Sequence, residues 1–216
     1  MSPRVTDTKE RILDAAQDLV MESGFSATSI DKIQEAADIS RGTFFYHFDT
    51  KDDLARELVR RYAQQDREIT DSLMARAESL ARDPLQQVLI FVRLHEELFQ
   101  GMEGEIPGCL FASYSYEAGL FDEETHDIIA ESVRYWHELV GGKLEQAFAR
   151  REPAVPVDPG VLADLAYSVL QGAFILSRVK GDRSLMVDHI RQYRTYLELL
   201  GGVVEAGGED RRTSRS

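Results

Sequence analysis

The chain is short of several things, and each shortage narrows what it can be. It has one cysteine in 216 residues, so no intramolecular disulfide staples it. Its six prolines are few, and most lie between long periodic segments. Alternating runs of Val, Ile and Thr are missing, which leaves an all-helical fold as the reading. Positive charge is scarce: 25 Lys and Arg face 38 Asp and Glu, for a formal net charge of -13. That balance argues against non-specific attachment to nucleic acid or anionic membranes. The opening "MSPRVTDTKE" lacks the apolar h-region of a secretory signal, and no apolar run is expected to reach the length of a membrane span. A soluble, cytoplasmic protein is the expectation.

Enzyme signatures are also missing. There is no Gly-rich phosphate loop and no evident nucleophile set. "LHEELF" lacks the second His of a zinc protease helix, and "EETH" at 123–126 is a single Glu-x-x-His where carboxylate-bridged metal sites use two. No enzyme activity, cofactor or metal is expected.

What is present is helical periodicity, with 43% hydrophobic residues to supply a core. The spacing predicts a helix from about Asp7 to Ser23, stopped by Gly24. A second runs over Thr28–Ala37, with Thr28 as cap and Asp31 three residues on. A third runs over Ser40–His47, with Ser40 as cap. Thr50 and Asp53 repeat the cap-plus-acid spacing and open a long helix from Lys51 to about Ala81. Further helices are expected from Pro84 to about Phe99, over Cys109–Ala118, and from Asp122 to Arg150, the last interrupted or bent near Gly141-Gly142. Val161–Val179 and Leu185–Leu200 form a closing pair. Three units follow: residues 1–50, 51–205 and a disordered tail at 206–216.

The stretch "SRGTFFYHFDTKDDL" at 40–54 is the most informative. A seven-residue helix that buries one stripe has no internal use for so many aromatic side chains. Phe44 and Phe48 are four apart and share a face, assigned to the core with Ile33, Ile39 and Leu54. Thr43, Phe45, Tyr46 and His47 then point outward or to the flanks. Two short helices joined by a tight turn are what a helix-turn-helix requires, with the second helix entering a DNA major groove.

The order "TSIDKIQEAADISRGTFFYHFDTKDDL" resembles the TetR family of bacterial transcriptional regulators, densely from Arg11 to about Leu58. Beyond Leu58 the similarity is architectural. The resemblance implies an all-α protein: an N-terminal three-helix helix-turn-helix DNA-binding domain, then a larger C-terminal helical ligand-binding and dimerisation domain. There are two departures. Asp38 stands in the turn where the family usually has Gly, at a position that needs a left-handed backbone. Phe45 stands where the family usually has Tyr, so any hydroxyl contact to the DNA backbone is lost.

The DNA-binding candidates are Thr28, Ser40, Arg41, Gly42, Thr43, Phe45, Tyr46, His47 and Lys51. Apolar edges suit thymine methyls, and a Tyr hydroxyl or His can donate to phosphate. Arg41, at the start of the recognition helix, suits bidentate reading of guanine; phosphate contact is the alternative. Gly42 lets the backbone approach DNA. Lys51, beside the amides of a helix start, suits phosphate, and Thr28 can contact phosphate as well as cap. Acids outnumber Lys and Arg over residues 1–60, so few phosphates should be neutralised and the salt dependence should be modest.

In the second half, Leu162, Leu165, Ala166, Val169, Ala173, Ile190, Tyr193 and Leu197 are expected in a homodimer face; an internal core stripe is the alternative. The resemblance implies a small-molecule effector site among the middle helices. Phe91, His95, Phe99, Met102, Cys109, Phe111, Tyr114, Trp136, His137 and Phe174 are the candidates for it, a mixture of apolar walls and a few polar groups. The implied function is a dimeric repressor released from palindromic operator DNA by that effector. Two alternatives stand beside it. Cys109 at a helix start can serve a redox or electrophile sensor, or be simply buried. A helical interaction module without DNA binding is the other.

Overall fold

The structure is a computed structural model that describes residues 3–102 and 108–203, with side chains from residue 7 onward. The tail expected to be disordered, 206–216, and most of "GMEGEIPG" lie outside the described residues. Among the described residues every regular element is a helix. In chain order they are α1 (Pro3–Ser23), α2 (Ile30–Ala37), α3 (Arg41–His47), α4 (Lys51–Leu80), α5 (Pro84–Gly101), α6 (Leu110–Tyr116), α7 (Glu123–Arg150), α8 (Pro159–Lys180) and α9 (Ser184–Leu200), with one 3-10 turn at Ala118–Leu120.

Side-chain caps set most of the starts. Ser40 accepts from the Thr43 amide, Asp83 from Gln86 and Asp122 from Thr125. Thr50 and Asp53 form the reciprocal capping box that their spacing predicts. One expectation is corrected: Ser29, not Thr28, caps α2, accepting from the Lys32 amide. Thr28 is buried, and its hydroxyl donates to the Gly24 carbonyl.

The N-terminal head is built on Ile12, Leu13, Ala16 and Val20 of α1, Ile33 of α2, and Phe44 and Phe48 of the third helix and its end. Phe44 and Phe48 are 0% and 2% exposed, as their shared face predicts. The head's core does not stop at residue 50. Leu54, Ala55, Leu58 and Val59 of α4 belong to it, and so do Leu110, Phe111 and Tyr114 of α6. The longest helix of the chain thus starts inside the head and ends in the body.

The body packs α5, α7, α8 and α9 with the rest of α4 around Val88, Phe91, Val140, Leu144, Ala163 and Leu197. The expected interruption at Gly141-Gly142 is absent: α7 runs unbroken from Glu123 to Arg150. A Cβ on Gly141 would make ordinary contact, 3.7 Å from both the Ala163 Cβ and the Gly160 Cα, so the packing of α7 on α8 does not require glycine there. Buried Glu96 on α5 is held by Arg194 of α9 at 2.7 Å.

Two further expectations change on α8 and α9. Leu162, Ala166, Ala173, Ile190, Tyr193 and Leu197 are all buried inside the protomer, where they hold the pair to the body. Of the residues expected in a dimer face, only Leu165 is exposed, with Val169 half-buried. The reason is one of phase: α8 is apolar on two faces. Its inner face binds α7 and α9; its outer face carries Val161, Leu165, Ile175, Leu176 and Val179, all exposed, with Tyr196 and Leu199 of α9 alongside. This double apolarity also makes α8 long and apolar enough to pass for a membrane span by length and composition, contrary to the expectation that no run would.

Candidate nucleic-acid interface and ligand cavity

The α2–α3 turn is made by Asp38, whose φ of 50° and ψ of 58° are left-handed. Its amide closes the end of α2 on the Gln34 and Glu35 carbonyls. Arg11 reaches over from α1 and donates to the Ala37 and Asp38 carbonyls, so the turn is braced from outside as well.

This turn presents the outer face of α3. Tyr46 is 73% exposed and Phe45 is 37% exposed. Arg41 lies over the Phe45 ring, 5.3 Å from its centroid, and 3.4 Å from Asp31. Both charged groups are well exposed, so the pair is weak and the guanidinium is free to leave it. Thr43 and His47 are half-buried at the flanks. Burial and then the charge of Lys9 hold the His47 pKa down. A Cβ on Gly42 would meet only the Ser40 hydroxyl, at 3.8 Å, so folding does not require glycine there.

Two DNA candidates point elsewhere. Thr28 is buried, as above, and offers no hydroxyl to a phosphate. Lys51 is turned inward: its ammonium donates to the Phe25 carbonyl at 2.6 Å and sits 3.9 Å from the centre of the Phe25 ring. Burial pushes the Lys51 pKa down against the opposing pull of Glu117 and Asp52. Other cations of the head are also engaged, Lys9 with Glu57 and Arg60 with Glu57 and Glu124. Lys32 is exposed and donates to the Ala27 carbonyl.

Behind the head, a cavity of about 320 Å³ opens between α1, α4, α5, α6, α7 and α8. Seven of the expected residues line it: His95, Phe99, Met102, Cys109, Phe111, Trp136 and Phe174. Three do not. Phe91 sits one layer deeper, against a separate void of about 30 Å³ shared with His95 and Trp136. Tyr114 belongs to the head's core, stacked on Phe121 with its hydroxyl on the Ala55 carbonyl. His137 is on the surface, paired with Asp164 at 2.7 Å, which raises its pKa.

The cavity's polar groups come largely from residues that sequence reasoning missed. Tyr62, Asp66 and Thr70 descend one side of α4 at intervals of four, and Tyr167 and Gln171 do the same on α8. The signal was there: these polar residues interrupt an apolar stripe that Leu58 and Val59 begin and Met74 and Ala77 resume. The Gln171 amide donates to the Cys109 sulfur at 3.3 Å, and Tyr62 and Tyr167 line the cavity with it. Burial pushes both tyrosine pKa values up, so their hydroxyls are neutral. Asp66 lines the cavity as an exposed residue, and partial desolvation by the surrounding protein raises its carboxyl pKa to about 6. Burial holds the His95 pKa down, although its Nδ1 faces the Phe91 carbonyl.

Cavity and head share α6. Cys109 and Phe111 face the cavity at its start. At its end, Glu117 accepts from the Phe25 and Ser26 amides at 2.7 and 2.8 Å. Arg178 of α8 adds a second tie, donating to the Met21 and Glu22 carbonyls at the end of α1. Met21 itself lines the cavity.

Comparison with known proteins gives this geometry a context. Residues 12–58 match the family model described as "Bacterial regulatory proteins, tetR family". Residues 84–193 match "Tetracyclin repressor-like, C-terminal domain". The transcriptional regulator AcuR of Cereibacter sphaeroides is 24% identical over 181 residues, covering 83% of this chain and 80% of its own. The HTH-type transcriptional repressor NemR of Escherichia coli is 22% identical over 174 residues, covering 80% and 85%. A TetR-family regulator from Agrobacterium tumefaciens has the same fold, with a TM-score of 0.72 at 20% identity over 89% of this chain and 98% of that one. The reduced form of E. coli NemR superposes with a TM-score of 0.68 at 17% identity, covering 88% and 96%.

Proposed function

This chain belongs to the TetR family of bacterial regulatory proteins, and on that premise we propose that it is a dimeric, cytoplasmic repressor released from its operator by a small molecule bound in the α4–α8 cavity. It acts by binding, and no reaction is assigned to it. The observation that carries the reading is the double role of α6, which walls the cavity at one end and is hydrogen-bonded to the head at the other.

The exposed face of α3 reads DNA, with Arg41 on a base edge and Tyr46 on phosphate or thymine methyl. Two copies pair through the outer apolar face of α8 and α9, which sets two heads on successive major grooves. An effector that fills the cavity must favour one head spacing over the other. A hundredfold release requires a preference of about 2.7 kcal/mol, within the usual range of coupling energies. The route is α6 with Glu117, together with Met21 and Arg178 at the end of α1.

Selection of bound DNA from a random pool tests this reading. A palindrome with half-sites one helical turn apart is the expected result; absence of any selected sequence, with no gel shift at low salt, would overturn it.

A second reading has one observation in its favour: Cys109 lines the same cavity, so a reagent entering it meets the thiol. NemR, solved in a reduced form, is a structural neighbour. Cys109→Ser separates the two readings, since it abolishes a thiol-dependent release and leaves a non-covalent one.

A further inference from the structure

The charge of the cavity is one-sided. Among the described residues its lining holds one carboxylate, Asp66, and no Lys or Arg. His95 contributes no positive charge at neutral pH, because burial favours its neutral form. Among the described residues no Lys or Arg stands within ion-pair distance of Asp66. Its neighbour Arg67 lies over the Tyr135 ring at 4.0 Å, in an adjoining exposed cleft that Asp66 also borders. Asp66 thus stands on the cavity wall, open to water, without a counter-ion of its own.

The groups around Asp66 suit the missing partner. Tyr62, Tyr167 and Gln171 add neutral oxygens that can accept hydrogen bonds. Trp136 and the two tyrosines supply rings whose faces attract cations. An anion would meet the opposite: a like charge with no guanidinium or ammonium to receive it. A neutral apolar ligand would fill the walls and leave the Asp66 carboxylate to water.

We propose that the cavity takes a small organic monocation, an ammonium carried on an aromatic or branched aliphatic body, with Asp66 as its counter-ion. The proposal rests on the reading of this cavity as the effector site. It goes beyond that reading by assigning the chemical class of the effector and the residue that selects it. The size of the cavity, about 320 Å³, limits the ligand to roughly one ring and a few further heavy atoms.

The test uses benzyltrimethylammonium and its uncharged isostere neopentylbenzene, titrated calorimetrically into the full chain and into Asp66→Asn. The cation is expected to bind the full chain at least tenfold more tightly than the isostere. Asp66→Asn is expected to lose that advantage for the cation and to keep its thermal midpoint within a degree or two. Equal affinity for the two probes would overturn the proposal, as would cation binding that Asp66→Asn leaves unchanged, preference for the anion 4-tert-butylbenzoate, or no binding of the cation at millimolar concentration. A gel shift with selected DNA, run in parallel, keeps the two readings apart. A retained shift with a failed cation preference refutes the ligand class alone; a lost shift refutes the regulator.

Discussion

Removing the Glu117 carboxylate should loosen the head without touching its DNA-facing surface. In the structure this one side chain accepts the Phe25 and Ser26 amides at 2.7 and 2.8 Å, across more than ninety residues of sequence, and faces Lys51. Hydrogen bonds to an ionised acceptor are worth about 1.5–3 kcal/mol each in protected sites. The Ser26 amide is exposed and water can replace its partner; the Phe25 amide is partly buried and recovers less. Glu117→Ala should therefore cost about 2–3 kcal/mol. For a chain of this size that is a fall of roughly 4–12 °C in the thermal midpoint. Glu117→Gln, which keeps a carbonyl acceptor, should lose about half as much. Burial works against ionisation of Glu117, but the Ser26 and Phe25 bonds and Lys51 outweigh it and hold the pKa below its ordinary value. The ionised form is thus the one the fold stabilises. The gap between wild type and Glu117→Ala is full above about pH 4.5 and closes as pH falls through the lowered value. Circular dichroism melts from pH 3.5 to 7.5 measure both effects. A midpoint within a degree of wild type at pH 7 would refute the reasoning, and so would a gap that widens in acid.

Four further outcomes are expected. Arg41→Ala should flatten base preference at one position of each half-site by about 1–3 kcal/mol, read from selected DNA, with unchanged melting; unchanged preference would move Arg41 to the phosphate backbone. Asp38→Gly should stabilise the turn by about 0.5–1 kcal/mol in denaturant unfolding, because glycine takes the left-handed conformation without cost from a Cβ. Leu165→Glu combined with Val179→Glu should give monomers by light scattering while the helical content is retained, since both side chains are exposed in the protomer. The affinity for benzyltrimethylammonium should rise several-fold between pH 5 and 7, as the Asp66 carboxyl with a pKa of about 6 ionises. The other titratable and charged groups near it are Tyr62 and Arg67 on α4, His95 on α5, Cys109 before α6, Glu131 on α7 and Tyr167 on α8; burial favours the neutral forms of Tyr62, His95 and Tyr167.

The helices were legible because their signals are local. Ser40 and Thr50 cap where their spacing says they should, and Phe44 with Phe48 bury as an i,i+4 pair must. Asp38 was legible too, because only a left-handed residue fits the turn. What failed depends on which neighbour a face meets. Thr28 and Ser29 are both good caps, and the packing of Thr28 on Gly24 decided between them. Lys51 reads as a phosphate ligand until the Phe25 carbonyl is brought beside it from twenty-six residues away. On α8 the periodicity marks two apolar faces and does not say which one is internal; Leu162 and Leu165 look alike in sequence and differ in burial. The cavity's apolar walls were readable as a cluster of aromatics. Its acid was not, because a lone Asp66 on an otherwise charged helix looks like any other solvated residue, and its place on the cavity wall depends on where α6 and α8 pack.

The outer face of α8 has a consequence for how much of this protein a cell must make. On the proposed pairing through Val161, Leu165, Leu176 and Val179, which are uncovered in the protomer, a chain reads its operator well only once it has found a second copy. Below the concentration at which the pair forms, the number of competent readers falls with the square of the number of chains. Small drifts in expression near that point become large drifts in occupancy, and the regulator acquires a threshold in its own abundance as well as in its effector's.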